Sequence, residues 1–310
     1  MIAILDSFFP LVDEHRKTIL SLHQKYPEEK ICIFVSRQKN VPSKFDMLNA
    51  TFSDLEYVTF FPEEELISHD ITLLYETGLS EHRGPLPSCP VRPLRRLSEE
   101  IRKVKDGSTW HTSYPMMSFF AQNKLFYCRK VSEFLSKERY LHSASVAETA
   151  YQIALAQKLD ARKAFLAGML HDVGKDFDKK KQRLMVRKRF PAYGDYPDFS
   201  LHQFVSRILA EEEFHITDKS ILSSIEWHCT GKGRMTPFEM VIYVADKCEP
   251  RRDFPTASIF ETAKRDIPLS FRMVLQEQIE YLKRKGIDYH TNASSVEMFR
   301  HYLKEDKICH

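Results

Sequence analysis

An α/β domain followed by an all-helical domain is what this sequence predicts, and three observations carry the prediction. Apolar runs at residues 1–5 and 31–35 flank a helix-length segment containing Leu11, Ile19 and Leu22, the β-α-β signature of a parallel sheet. From about Val131 onward the apolar residues recur with a helical period to the end of the chain. A chain of 310 residues is also long for one hydrophobic core. Two domains, 1–130 and 131–310, are therefore expected.

Composition narrows the function class. An apolar content of 43% with 29% charged residues fits a soluble globular chain that can bury a full core. The formal charge is only +3, with both signs mixed throughout, so there is no electrostatic case for a dedicated nucleic-acid partner. Cys32, Cys89, Cys128, Cys229, Cys248 and Cys309 form no C-x-x-C pair. That argues against a zinc ribbon or a disulfide framework and for reduced thiols in the cytoplasm. The N-terminal apolar run stops at Asp6 without a basic segment, and no stretch reaches eighteen uncharged apolar residues. Neither export nor a membrane span is expected.

In the first domain, residues 57–61 and 71–75 are further candidate strands. Pro85, Pro87, Pro90 and Pro93 predict a long irregular loop, and residues 98–105 and 115–125 read as helices. The turn after the first strand reads Asp6-Ser7-Phe8-Phe9-Pro10-Leu11-Val12-Asp13-Glu14-His15. It resembles the phosphate-binding turn of nicotinate mononucleotide adenylyltransferases, G-G-S-F-D-P-x-H-x-G-H. Ser7, Phe8, Pro10 and His15 are kept, but the glycine pair is gone and Phe9, Val12 and Glu14 replace an Asp, a His and a Gly. A second motif of that family is reduced to Arg96-Leu97-Ser98-Glu99-Glu100-Ile101-Arg102. The resemblance implies a Rossmann-like nucleotidyltransferase fold that is degenerate, with Glu14 and Glu99 where phosphates would sit. His15 itself reads as a partly exposed helix residue.

The second domain centres on Ala164-Phe165-Leu166-Ala167-Gly168-Met169-Leu170-His171-Asp172-Val173-Gly174-Lys175. Ala164, Ala167 and Gly168 give the helix face a lack of bulk that lets another backbone approach. Gly174 is expected to break the helix so that His171 and Asp172 converge. Asp160 is the expected cap of this helix, Thr217 of a later one, and Thr236-Pro237-Phe238-Glu239 a capping box. Lys179-Lys180-Lys181 with Arg183, Arg187, Lys188 and Arg189 reads as solvated surface, or else as an electropositive rim. Residues 191–199 are long enough to form a lid.

Five successive helices each bring metal-ligand types inward: His142, His171 with Asp172, His202, His228 and Asp246. Buried imidazoles and carboxylates without thiolates suit iron, manganese, cobalt or zinc. Six ligands exceed one ion's needs, so two divalent ions bridged by Asp172 are expected. His142, His171 and Asp246 would sit on one, His202 and His228 on the other.

These residues resemble the HD-domain phosphohydrolases, and within them the YqeK family of symmetrical diadenosine tetraphosphate hydrolases. Arg139-Tyr140-Leu141-His142-Ser143 is similar to that family's R-x-x-H-S, and Ala167 to Lys175 to its A-G-L-L-H-D-x-x-K. Leu201-His202, His228-Cys229-Thr230-Gly231, Tyr243-Val244-Ala245-Asp246 and Glu249-Pro250-Arg251-Arg252 follow in order, with Cys229 and Gln203 as departures. The resemblance implies an all-α HD bundle and metal-dependent hydrolysis of a dinucleoside polyphosphate to two nucleoside diphosphates. Asp172, Lys175 and Arg252 would be catalytic, and Lys175, Thr230 and Arg252 would contact substrate. An HD hydrolase of a nucleoside monophosphate or guanosine alarmone, a nucleotide-sensing regulator, and an active adenylyltransferase with an accessory hydrolase are the alternatives. Assembly into a homo-oligomer is left open.

Overall fold

The computed structural model describes residues 1–6, 11–35, 44–76, 86–94, 97–252, 256–288 and 292–303. The chain divides into two compact units, Met1–Phe120 and Ala121–His310, earlier than the expected 130/131 boundary. The strands are β1 (Ile2–Asp6), β2 (Ile31–Val35), β3 (Val58–Pro62), β4 (Leu73–Glu76) and β5 (Val91–Pro93). The helices of the first unit are α1 (Asp13–Lys25), α2 (Lys44–Thr51) and α3 (Ser98–Asp106), while α4 (Tyr114–Asn123) runs across the division. Those of the second are α5 (Tyr127–Phe134), α6 (Lys137–Ala156), α7 (Ala161–Leu170), α8 (Lys179–Arg189), α9 (Leu201–Glu212), α10 (Lys219–Glu226), α11 (Pro237–Cys248), α12 (Ala257–Arg265), α13 (Ile267–Arg284) and α14 (Ala293–Leu303). Because α5 packs on α6 and α7, residues 121–130 belong with the helices.

The first unit is a parallel sheet in the order β3-β2-β1-β4-β5. β1 pairs with β2 (Ile4 opposite Ile33) and with β4 (Ile4 opposite Tyr75). Every residue of β1 and β2 is buried, as expected of central parallel strands that read as unbroken apolar runs. Ala3, Leu5, Cys32, Phe34, Leu66, Ile71 and Leu74 form a core cluster against one face.

Two expectations for this unit are corrected. Residues 91–93 lie in the stretch read as irregular loop, yet they form β5, parallel to β4 with Glu76 opposite Pro93. The strand is at the sheet edge, where a proline's missing N–H leaves no ladder bond broken. His15 is not partly exposed: it is 2% exposed, its Nδ1 accepts a hydrogen bond from Val12 N at 3.0 Å, and its Nε2 lies 3.9 Å from Asp6 Oδ2. Burial lowers its pKa despite the nearby carboxylate. Ser7, Phe8, Phe9, Pro10, Pro85 and Arg96 fall outside the described residues. Arg102 is engaged within α3, on Glu99 and Asp106.

In the helical unit, α6 buries Val146, Ala150 and Ala154 on the face that carries His142. The small-residue face of α7 packs there: a Cβ on Gly168 would stand 2.7 Å from Ala147 Cα and 2.9 Å from Ala147 N. Asp160 caps α7 through Lys163 N, and Thr236 with Glu239 closes the capping box of α11. The α10 cap is Asp218 rather than Thr217, since its carboxylate reaches both Ser220 N (2.9 Å) and Ile221 N (3.1 Å). A charged acceptor at that position also complements the helix N-terminus. Residues 191–199 are not a free lid. Arg183 donates to Gly194 O and Tyr196 O, Tyr193 stacks on Phe204, and the Tyr196 hydroxyl meets Ser294 Oγ at 2.6 Å.

Adding one methyl group where α6 and α7 touch tests that contact. Gly168→Ala should destabilise the helical unit by about 1–3 kcal/mol, the usual cost of overpacking a tight interface. Urea unfolding followed by the helix signal measures it, and an unchanged midpoint would mean that the backbones have room to separate.

Candidate metal centre

The six predicted ligands converge. His142 projects from the first turns of α6, His202 from the start of α9 and Asp246 from the end of α11, while His171, Asp172 and His228 lie just past α7 and α10. Three overlapping groups bring their ligand atoms within 4.8 Å of one another: His142 with His171 and Asp172, His171 with His228 and Asp246, and Asp172 with His202 and His228.

Placement just beyond a helix fixes two imidazoles. The last carbonyls of a helix lack intrahelical partners. His171 Nδ1 donates to Gly168 O and His228 Nδ1 to Ile225 O, each at 2.7 Å and each three residues back. With Nδ1 protonated, Nε2 carries the lone pair in both rings, the tautomer a metal needs. His171 Nε2 is buried without a hydrogen-bond partner, 3.8 Å from Asp172 Oδ2 and 3.7 Å from Asp246 Oδ1. His202 Nε2 lies 3.1 Å from His228 Nε2 and 3.1 Å from Asp172 Oδ1. Lone pairs aimed at one another between two buried carboxylates suit divalent cations, so the residues fit the group that the sequence implies.

Gly174 has a role other than the one expected. It does not adopt a left-handed conformation. A Cβ there would stand 2.7 Å from Val205 Cγ1 and 2.8 Å from Ser206 N, so its absence lets the His-Asp turn lie against α9. Gly174 N donates to Ser206 Oγ at 2.9 Å.

The cluster opens into a cleft of about 830 Å³ lined by Arg139, Lys175, Arg251 and Arg252 as well as by His142 and Asp172. Lys175 Nζ is 2.9 Å from His202 Nε2 and 3.7 Å from Asp172 Oδ1. Arg252 Nη2 donates to Asp246 Oδ1 at 2.7 Å, and its Nε to Asp246 O at 3.0 Å. The basic run in α8 is not part of this lining. Thr230 is not brought to the cleft either. It is 1% exposed, and its hydroxyl is held by Gln203 Nε2 and Gly231 O.

Residues 139–251 match the HD domain family. A symmetrical bis(5'-nucleosyl)-tetraphosphatase of Halalkalibacterium halodurans is 34% identical over 159 residues, half of this chain and 85% of the relative. The chain belongs to this HD-domain family. A Mycoplasma genitalium protein described as a probable nicotinate-nucleotide adenylyltransferase/Ap4A hydrolase is 29% identical over 235 residues, 73% of this chain and 62% of that protein. The crystal structure of a Clostridium acetobutylicum HD superfamily hydrolase, described as predicted and involved in NAD metabolism, superposes with a TM-score of 0.52 at 27% identity. It covers 57% of this chain and 96% of that one.

Several residues of the HD domain that shape the site carried no role in the sequence reading. Glu249 Oε1 lies 3.1 Å from His142 Nδ1, which turns His142 Nε2 toward Asp246 Oδ1 at 3.0 Å. Lys247 Nζ bonds Asp246 Oδ2 at 2.6 Å and His228 O at 2.8 Å. Arg139 Nε pairs with Asp176 Oδ1 at 2.5 Å, beside the start of α6. Gln203 Oε1 accepts from Thr230 N at 3.1 Å and so ties the turn after His228 to α9. A carboxylate three residues after the α11 ligand, at Glu249, is the visible signal for the first of these.

Burial and charge oppose each other here. Burial alone would raise the Asp172 and Asp246 pKa values, but His171 and His202 around the first, and Lys247, His142 and His171 around the second, hold both well below the usual carboxylate range. Burial pulls His202 down to about 3 and lowers His228 as well. For His142 burial is overcome by Asp246, and the pKa rises.

A pH dependence follows for chelator-treated protein. The unfolded chain protonates His202 and His228 near 6.5, whereas the folded chain resists, so stability is full above that pH and falls as pH drops. His142 acts in the opposite sense, stabilising at low pH, but it is one group against two. The urea midpoint should therefore fall from pH 7 to pH 5, and the depressed carboxylates extend the loss below about pH 4. A level or rising midpoint across that range would contradict these electrostatics.

Proposed function

We propose that the helical unit hydrolyses dinucleoside polyphosphates, cutting diadenosine tetraphosphate symmetrically into two ADP. One observation carries this reading: a buried His and Asp cluster at the base of a large cleft whose wall presents Arg139, Lys175, Arg251 and Arg252. The Halalkalibacterium halodurans relative, named for symmetrical tetraphosphate cleavage, points the same way.

Two divalent transition-metal ions are the proposed cofactor, iron first, with manganese, cobalt or zinc as the alternatives that an all-N/O donor set accepts. His142, His171 and Asp246 would hold one, His202 and His228 the other, with Asp172 shared. Ions of this kind acidify water and withdraw charge from phosphoryl oxygens. The protein's own groups supply the rest. Asp172 and Asp246 stay anionic at neutral pH because imidazoles and ammonium groups surround them. Glu249 steadies His142. Lys175, at the His202 end of the cluster, and Arg252, at the Asp246 end, neutralise charge that grows on the transferred phosphoryl group and its leaving group. Arg139 and Arg251 receive phosphates further along the cleft. Cations at both ends favour a scissile bond in the middle of a polyphosphate.

An adenylyltransferase activity of the α/β unit is the second reading, favoured by the description of the Mycoplasma genitalium relative. Phe9, Val12 and Glu14 stand against it, as does the burial of His15, which keeps its ring from an incoming phosphate. We take the unit as catalytically degenerate.

Metal-loaded protein given diadenosine tetraphosphate should yield ADP alone. Asp172→Ala and Asp246→Ala should abolish turnover, and Lys175→Ala should slow it by about a hundredfold, the usual effect of removing one transition-state charge partner. Equal amounts of AMP and ATP would rule out a symmetrical cut. Given nicotinate mononucleotide and ATP, the same protein should make no dinucleotide. Synthesis that survives Asp172→Ala and disappears in His15→Ala would restore the second reading.

A further inference from the structure

The cleft over the metal cluster is lined by cations for phosphates, and among the described residues no Phe, Tyr or Trp lines it. A second cavity, of about 390 Å³, lies between α11, α12 and α13. Arg252 lines both cavities, so one side chain is common to their walls. Lys247 lines the second cavity while its Nζ bonds Asp246 Oδ2. Two cations thus face the ligand carboxylate of Asp246 and the new cavity together.

The second cavity has the features of a nucleoside site. Ile259 and Val274 give it an apolar base and are 3% and 4% exposed. Tyr281 stands in its wall and is 50% exposed, an unusually open position for an aromatic side chain in this domain. A base can stack on such a ring whatever its sequence context. The polar groups are few and directed. Tyr243 donates its hydroxyl hydrogen to Gln278 Oε1 at 2.6 Å, which fixes the amide and leaves its NH₂ as a donor. Glu277, one residue earlier, offers a carboxylate acceptor. A donor beside an acceptor complements the adenine edge, where an amino group neighbours a ring nitrogen. A volume of about 390 Å³ lies within the range of small-ligand sites, roughly 300–1,000 Å³.

We infer that this cavity is the subsite for one adenine nucleoside of the substrate, with Tyr281 stacking on the base and Arg252 passing the phosphate chain to the metal cleft. The assignment rests on the dinucleoside polyphosphate reading. It adds the residues that recognise the base, and it makes Tyr281 a specificity residue that touches no reacting atom.

Equilibrium titration of metal-loaded protein with ADP and with pyrophosphate tests it without turnover. ADP should bind about tenfold more tightly than pyrophosphate, the share that stacking on one aromatic ring supplies. Tyr281→Ala should bring ADP down to the affinity of pyrophosphate, and Tyr281→Phe, which keeps the ring, should restore the difference. Hydrolysis of diadenosine tetraphosphate by Tyr281→Ala should show a KM raised by a similar factor with little change in kcat. Equal affinity for ADP and pyrophosphate in the unaltered protein, or full ADP affinity in Tyr281→Ala, would overturn the subsite. If the unaltered protein does not cleave diadenosine tetraphosphate, the parent reading fails, and the ADP titration still decides the subsite by itself.

Discussion

Two carboxylates buried among four imidazoles set the terms for the helical unit. Desolvating an anion is costly unless cations or donors replace the lost water. Asp172 and Asp246 are 4% and 6% exposed, and each is surrounded by such groups. Lys175 approaches Asp172, while Lys247 and Arg252 bond Asp246. One carboxylate lies just past α7 and the other in the last turn of α11, and packing brings them together. That packing depends on two glycines. Gly168 lets α7 lie on α6 at Ala147, and Gly174 lets the His-Asp turn lie on α9 at Val205 and Ser206. A methyl group at either place would move one ligand away from the others.

Helix termini supply the second constraint. Their unpaired carbonyls need donors, and His171 and His228 each meet that need with Nδ1. The same bond sets the tautomer and turns Nε2 inward, so local backbone chemistry and ligand presentation have a single cause. His142, within a helix, has no such carbonyl available and relies on Glu249 instead. Lys247 and Arg252 both bond Asp246, and Arg252 lines both cavities, so the cations that neutralise this ligand also stand in the cavity walls.

Much of this was legible in the sequence, for identifiable reasons. The strand at residues 31–35 was visible because a central parallel strand is apolar throughout, and the structure has it at the same residues. The six candidate ligands stood out because His and Asp are conspicuous on apolar helix faces. Thr236 with Glu239 was readable since a capping box is purely local. β5 is not legible because Pro93 within it and Pro90 before it argue against a strand, and only pairing at the sheet edge overrides them. The burial of His15 depends on the sheet and helices packed around it, which sequence period does not reveal. Gln203 and Glu249 are not legible because their partners are distant in sequence, and Lys247 because packing, not sequence, brings its ammonium to His228 O as well as to the neighbouring Asp246. Thr230 was assigned to substrate through resemblance alone, and the hydrogen bonds it makes to Gln203 and Gly231 take it inward.

The proposed chemistry of the helical unit depends on what the cluster holds. Metal analysis of protein purified without oxygen or chelator, with iron, manganese, cobalt and zinc counted per chain, reads this directly. Two divalent ions per chain are expected, because three ligand groups share Asp172, His171 and His228 among two sites. A fully loaded protein that holds one ion or none would contradict it, and the buried carboxylates would then need another explanation.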